Sequence, residues 1–184
     1  MIGKIEVICG PMFGGKSTEL LRKIKRSTIA KKKVLLVKPR IDDRYSKDEV
    51  VSHEGNRRVC HIIDTAQDIL ELMKGKNYNV VGIDEAQFIP GLSPIVQQIA
   101  KQGIWVYLAC LDMDSEGNPF GDVGSLLAIA HDISKLEAVC VVCGEDAQHT
   151  QRTTPIDSQV HVGGASDYEA RCRHCWHPSL PVEV

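Results

Sequence analysis

The stretch Gly10-Pro11-Met12-Phe13-Gly14-Gly15-Lys16-Ser17 follows the apolar run Ile5-Glu6-Val7-Ile8-Cys9 and precedes Leu20, Leu21 and Ile24 at helical spacing. Strand, glycine-rich loop and helix in that order make the G-x-x-x-x-G-K-S phosphate-binding motif. Glycines let the backbone curl so that successive N–H groups point inward at phosphate oxygens. Lys16 brings a mobile positive charge to the β- and γ-phosphates, and the Ser17 hydroxyl is a ligand for Mg²⁺. The helix that follows presents its positive N-terminal end to the same anion. Such a chain is expected to bind a nucleoside triphosphate.

Composition narrows the class. With 184 residues the chain is long enough for one sizeable core plus a small appendage. A net charge of −2 argues against a large basic surface for nucleic acid. No run reaches the roughly 18 apolar residues of a membrane helix, and no export signal is evident. Seven cysteines, an odd number, disfavour a disulfide framework. The expectation is a cytoplasmic protein that engages neither nucleic acid nor membrane.

Further runs alternate with helical patterns. Val34–Val37, Val59–Ile63, Val80–Ile83 and Ile104–Leu108 read as strands, and Thr65–Met73 as a helix. Ser93-Pro94 reads as the N-cap and first residue of another helix, closed by Gly103. A last helix is expected from Leu126 to near Ser134, and residues 46–58 read as a charged, mobile loop. This alternation predicts an α/β fold, a parallel sheet with crossover helices.

Val80-Val81-Gly82-Ile83 ends in Asp84-Glu85. In phosphate-loop proteins an acid at the end of a later strand holds the metal, and Asp84 has that place. Adjacent residues at a strand end point different ways, so Glu85 can face a phosphoryl acceptor and take its proton. From Ala138 the texture changes: Cys140-x-x-Cys143 and Cys172-x-x-Cys175 bracket 28 short-stranded, polar residues. Four thiolates in two such knuckles suit one closed, structural Zn²⁺ site. Cys9, Cys60 and Cys110 lie in apolar surroundings and read as core. The expected domains are 1–137, carrying the phosphate loop, and 138–184, a β-rich zinc unit whose loss would leave the first unit able to bind ATP.

The phosphate loop, Lys38-Pro39 with Asp42-Asp43-Arg44, Asp84-Glu85-Ala86-Gln87-Phe88 and the four cysteines occur in this order. Together they closely resemble the zinc-containing, cytosolic type of thymidine kinase, over about residues 3–176. The resemblance implies ATP-dependent phosphorylation of the thymidine 5′-hydroxyl, with ATP, Mg²⁺ and structural Zn²⁺ as cofactors. It implies Glu85 as the base and Asp84 on the Mg²⁺ side. Gly10, Pro11, Met12, Phe13, Gly14, Gly15, Lys16, Ser17, Asp42 and Arg44 would lie around the phosphates. Met12 and Leu111 would line the thymine pocket, with Phe88 and Tyr168 beside the nucleoside. The loop between the cysteine pairs resembles the family's lasso, with Val160, His161, Val162 and Gly163 as base contacts. A homotetramer and feedback by thymidine triphosphate are implied as well.

One position departs from the family pattern. Ser115 stands where a phenylalanine ring is expected against thymine. The expectation is a roomier pocket, with Phe120 or the lasso compensating. The alternatives to a nucleoside kinase are a phosphate-loop ATPase acting on nucleic acid and a nucleotide-gated scaffold. The charges of residues 138–176 do not form the basic stripe that the first would need, because Glu145, Asp146, Asp157, Asp167 and Glu169 offset the arginines. Glu85 beside Asp84 argues against the second.

Overall fold

Alternation along each apolar run decides which layer its side chains join. The structure, a computed structural model, describes residues 2–41, 49–51, 57–154 and 166–178. Its strands in chain order begin β1 (Ile5–Cys9), β2 (Val34–Pro39), β3 (Glu49–Val51), β4 (Arg57–Val59), β5 (His61–Ile63), β6 (Val80–Ile83), β7 (Trp105–Cys110) and β8 (Asp132–Lys135). Six of these form one sheet in the order β5-β2-β6-β7-β1-β8, and every pairing in it is parallel. Four helices accompany it: α1 (Lys16–Ile29), α2 (Gln67–Met73), α3 (Leu92–Lys101) and α4 (Val123–Ile129).

On one face Ile8, Leu36, Val80, Tyr107 and Ala109 pack beneath Leu20, Leu21 and Ile24 of α1. On the other face Val7, Leu35, Val81, Val106 and Leu108 meet Ile69, Leu92, Val96, Ile99 and Leu126 of the remaining helices. Both faces are therefore covered, which is why these strands are near-continuous apolar runs. Gly82 lets α1 come close, since a Cβ there would lie 2.8 Å from Ile24 Cδ1 and 2.9 Å from Leu36 Cδ1. The expected α/β parallel sheet is the one that forms.

Three local expectations differ. The last helix stops at Ile129, and residues 132–135, expected as its end, form the edge strand β8 against β1. Three of its four residues are exposed, so the apolar signal of a buried strand is missing. Ser93 does not cap α3: Gly91, at φ 67°, is the N-cap, and the Ser93 N–H bonds Asp122 Oδ2 at 2.8 Å. An acid distant in sequence supplies the acceptor that a local serine was expected to provide. In the stretch 46–58, residues 49–51 and 57–59 pair as antiparallel strands, with Val50 buried against the α1 face. Val59–Ile63 accordingly divides between β4 and β5.

Beyond β8 come β9 (Ala138–Val139), β10 (Asp146–Ala147), β11 (His149–Arg152) and β12 (Tyr168–Arg171). They make two small antiparallel ladders, β9 with β10 and β11 with β12. Their core is Ala138, Cys140, Ala147, Ala170, Cys172 and Cys175. Among the described residues no helix is long and apolar enough to cross a membrane.

Candidate active site

β1 lies between β7 and β8, and the phosphate loop leaves its C-terminal end, where ligands of open parallel sheets bind. Gly10 begins the loop at φ 140°, and a Cβ there would lie 2.2 Å from Leu136 O. Only glycine fits between β1 and the chain leaving β8. Phe13 (φ 66°) and Gly15 (φ 79°) turn the backbone further, and Gly15 caps α1. Lys16 Nζ donates to Pro11 O at 2.6 Å, inside the loop. Burial pushes the Lys16 ammonium below the usual lysine range, while Glu85, Cys110, Asp84 and Asp112 pull it back up. Ser17 Oγ donates to Asp84 Oδ1 at 3.1 Å, so the two expected metal-side groups converge although 67 residues separate them.

Asp84 follows β6 and is buried, its N–H bonded to Val37 O at 3.0 Å. Glu85 then leaves the strand in left-handed backbone, φ 51° and ψ 42°. For a side chain other than glycine that conformation costs on the order of 1 kcal/mol or more, and such strain clusters at functional sites. Here it turns Glu85 away from Asp84 and into a pocket lined by Met12, Phe13, Gly15, Lys16, Ser17, Thr18 and Leu111. The pocket therefore brings together an ammonium, a hydroxyl at the metal-side acid, a second carboxylate and two apolar walls. This arrangement suits phosphoryl transfer to an acceptor seated against Met12 and Leu111.

The four cysteines also converge. Their Sγ atoms all lie within 4.8 Å of one another, and Cys143 and Cys172 are 3.6 Å apart. Tetrahedral thiolates at the usual zinc distance would stand about 3.8 Å apart, so the donor set fits Zn²⁺. Both knuckles close alike: Gly144 N–H bonds Cys140 O, and Trp176 N–H bonds Cys172 O, each at 2.9 Å. Burial pushes the Cys140 thiol up, but backbone N–H groups of Cys172, Cys143 and Val142 outweigh it and bring it to about 6. His174, inside the second knuckle, is exposed and outside the cluster.

The module does not stand apart from the loop. The Met12 N–H donates to Thr150 Oγ1 at 3.0 Å, a buried bond across 138 residues. Phe13 packs on the cysteine core. The phosphate loop thus touches the zinc unit, one residue bonded to it and the next packed into it, while the cores of the two regions share no residue.

Of the remaining expected residues, Phe88 and Phe120 meet edge to face at 5.5 Å, Phe120 buried and neither lining the pocket. Tyr168 is buried at the start of β12 with the Arg152 guanidinium over its ring at 5.8 Å. Ser115 is also buried and does not line the pocket, against the expectation that it opens space there. Its carbonyl accepts from Trp176 Nε1 at 3.1 Å, and that indole stacks on His149 at 4.4 Å. Cys9, Cys60 and Cys110 are buried, as expected. Asp42, Arg44, Val160, His161, Val162 and Gly163 lie outside the described residues.

Three contributors have no signal of their own in the sequence: Gln87, Thr150 and Trp176. Gln87 sits within Asp84–Phe88, but its role depends on a backbone N–H at residue 111. Thr150 and Trp176 touch partners 138 and 61 residues away, which no local pattern reports.

Comparison with known proteins agrees with this geometry. The family model described as thymidine kinase matches residues 3–176. A thymidine kinase of Bacteroides thetaiotaomicron is 47% identical over 175 residues, covering 95% of this chain and 87% of its own. One of Bacteroides fragilis is 46% identical over 179 residues, covering 97% and 89%. That of a Rhodothermus species is 44% identical over 184 residues, covering 100% and 85%. With phosphate loop, paired acids and cysteine cluster all inside the matched span, the chain belongs to the thymidine kinase family.

Proposed function

We propose that this kinase transfers the γ-phosphate of ATP to the 5′-hydroxyl of thymidine, giving thymidine monophosphate and ADP. The observation that carries the reading is one pocket lined by Lys16, Ser17 and Glu85 between the apolar side chains of Met12 and Leu111. The acceptor oxygen forms the new bond to phosphorus, the bond to the bridging oxygen of ADP breaks, and the hydroxyl proton passes to Glu85. Lys16 and backbone N–H groups at the loop's junction with α1 stabilise charge on the transferring group. Ser17 and Asp84, bonded at 3.1 Å, would hold Mg²⁺, which when bound offsets negative charge on the phosphate oxygens.

Asp42 and Arg44 are assigned beside the phosphates by resemblance, and Val160, His161, Val162 and Gly163 by the same argument to the base. Phe88 and Tyr168 are assigned beside the nucleoside on that ground too, and Phe120 as the ring that compensates for Ser115. Cys140, Cys143, Cys172 and Cys175 hold structural Zn²⁺, supported by their convergence within 4.8 Å. We divide the chain into a kinase domain, 1–137, and a zinc domain, 138–184. Family likeness supports a cytoplasmic homotetramer with thymidine triphosphate as feedback ligand.

The test is a phosphorylation screen of the natural nucleosides with ATP and Mg²⁺. Thymidine 5′-monophosphate as the main product is expected. ATP hydrolysis with no phosphorylated nucleoside would remove the reading and favour an ATPase.

A further inference from the structure

We propose that Gln87 is the positioning residue for the proton acceptor, holding the Glu85 carboxylate and the wall of the nucleoside pocket with one side-chain amide. The inference rests on the reading of Glu85 as base. Gln87 is 6% exposed. Its Nε2 donates to Glu85 Oε2, and its Oε1 accepts from the Leu111 N–H at 3.1 Å. A carboxylate only accepts and a backbone N–H only donates, so the chemistry of the two partners dictates which way the amide points.

The need for such a group follows from the backbone. Glu85 has left β6 in left-handed conformation, so the strand ladder no longer orients it. Its side chain has three torsions to be restrained before the carboxylate can stand at one place. Leu111 follows β7 and lines the same pocket as Glu85 and Met12. The amide thus sets the distance between the proton acceptor and the apolar wall that seats the acceptor molecule. Two substitutions separate the bonds: glutamate keeps an acceptor for Leu111 but turns a carboxylate to Glu85, and methionine offers neither bond.

These differences make the test. Gln87→Glu retains the Leu111 bond, so kcat is expected to fall about 30-fold or more while KM for thymidine stays within about threefold. Gln87→Met loses both bonds, so kcat falls and KM for thymidine rises, with KM for ATP changed less than about twofold. Thermal melting confirms that each variant is folded. In a Glu85→Gln background, where no carboxylate remains to be positioned, Gln87→Met is expected to cost less than about threefold in residual kcat. The proposal is overturned if Gln87→Glu keeps kcat within threefold of the unsubstituted enzyme, or if Gln87→Met costs the same factor in both backgrounds. Failure of the base reading looks different: Glu85→Gln alone would then retain its turnover.

Discussion

The sheet and the cysteine module are stabilised by different means, and the phosphate loop lies where they meet. The sheet buries branched aliphatic side chains on two faces, among them Ile8, Leu20, Ile24, Leu35, Ile83 and Leu108. At about 1.5–3 kcal/mol for each large side chain taken from water, that burial alone gives the sheet a hydrophobic core. The module buries alanines and cysteines, with Phe13 borrowed from the loop. So little apolar volume is slight support for four short strands, and the proposed Zn²⁺ in the cysteine cluster would supply the rest. The lesson concerns the loop between them: its ends are anchored by the sheet region, through β1 and α1, while residues 12 and 13 are held by the module.

Substitutions that break the chemistry on the sheet side are expected to have the largest effect. Lys16→Ala removes charge stabilisation at the phosphates and should lower kcat by about 10²–10³-fold. Glu85→Gln removes the proton acceptor and should lower kcat by about 10²–10⁴-fold, with thymidine binding retained because the amide keeps the carboxylate's size. Steady-state kinetics and thymidine titration separate the two variants. Equal loss of thymidine affinity in both would contradict the assigned roles.

Breaking the module comes next. Cys143→Ser should reduce bound zinc well below one per chain and weaken thymidine and ATP alike, ATP by about tenfold or 1.4 kcal/mol. Elemental analysis and calorimetry check the two halves of that statement. The sheet should still melt cooperatively, since its core includes none of the four cysteines of the module.

A finer cut removes the bond between the phosphate loop and the module. Thr150→Val leaves the buried Met12 N–H without its acceptor, a change worth about 1–3 kcal/mol. Part of that should appear as a three- to tenfold loss of ATP affinity, roughly 0.7–1.4 kcal/mol. Thr150→Ser keeps the hydroxyl and should restore it. The smallest effect is expected at a further contact, where Trp176→Leu gives up the His149 stack and the bond to Ser115 O. Aromatic contacts of this kind contribute about 0.5–1.5 kcal/mol, so KM for thymidine should rise only about two- to fivefold, with zinc content unchanged.

Much of this division is legible in the sequence, for physical reasons. The strands β1, β2, β6 and β7 announce themselves because a strand covered on both faces has to be apolar almost throughout. The phosphate loop, Asp84-Glu85 and the two C-x-x-C pairs are local arrangements whose residue types are required by the groups they bind. β8 escapes notice because an exposed edge strand needs no apolar run, and the α3 cap because Asp122 reaches it from 29 residues away. Ser115 shows the same limit: its type suggests open space, but a tryptophan from beyond the last cysteine sits against its carbonyl. The dependence of the phosphate loop on the module is carried by Thr150 and Phe13 meeting partners across the fold, and tertiary structure alone brings those together.

That dependence is most directly measured as the dissociation constant for ATP of one preparation before and after zinc is withdrawn by a chelator, with melting of the sheet followed in parallel. ATP affinity is expected to fall by about tenfold on zinc removal while the sheet still melts cooperatively, and to recover when zinc is restored. Unchanged ATP affinity in the metal-free protein would contradict it, and would mean that the sheet region shapes the phosphate loop without help from the cysteine module.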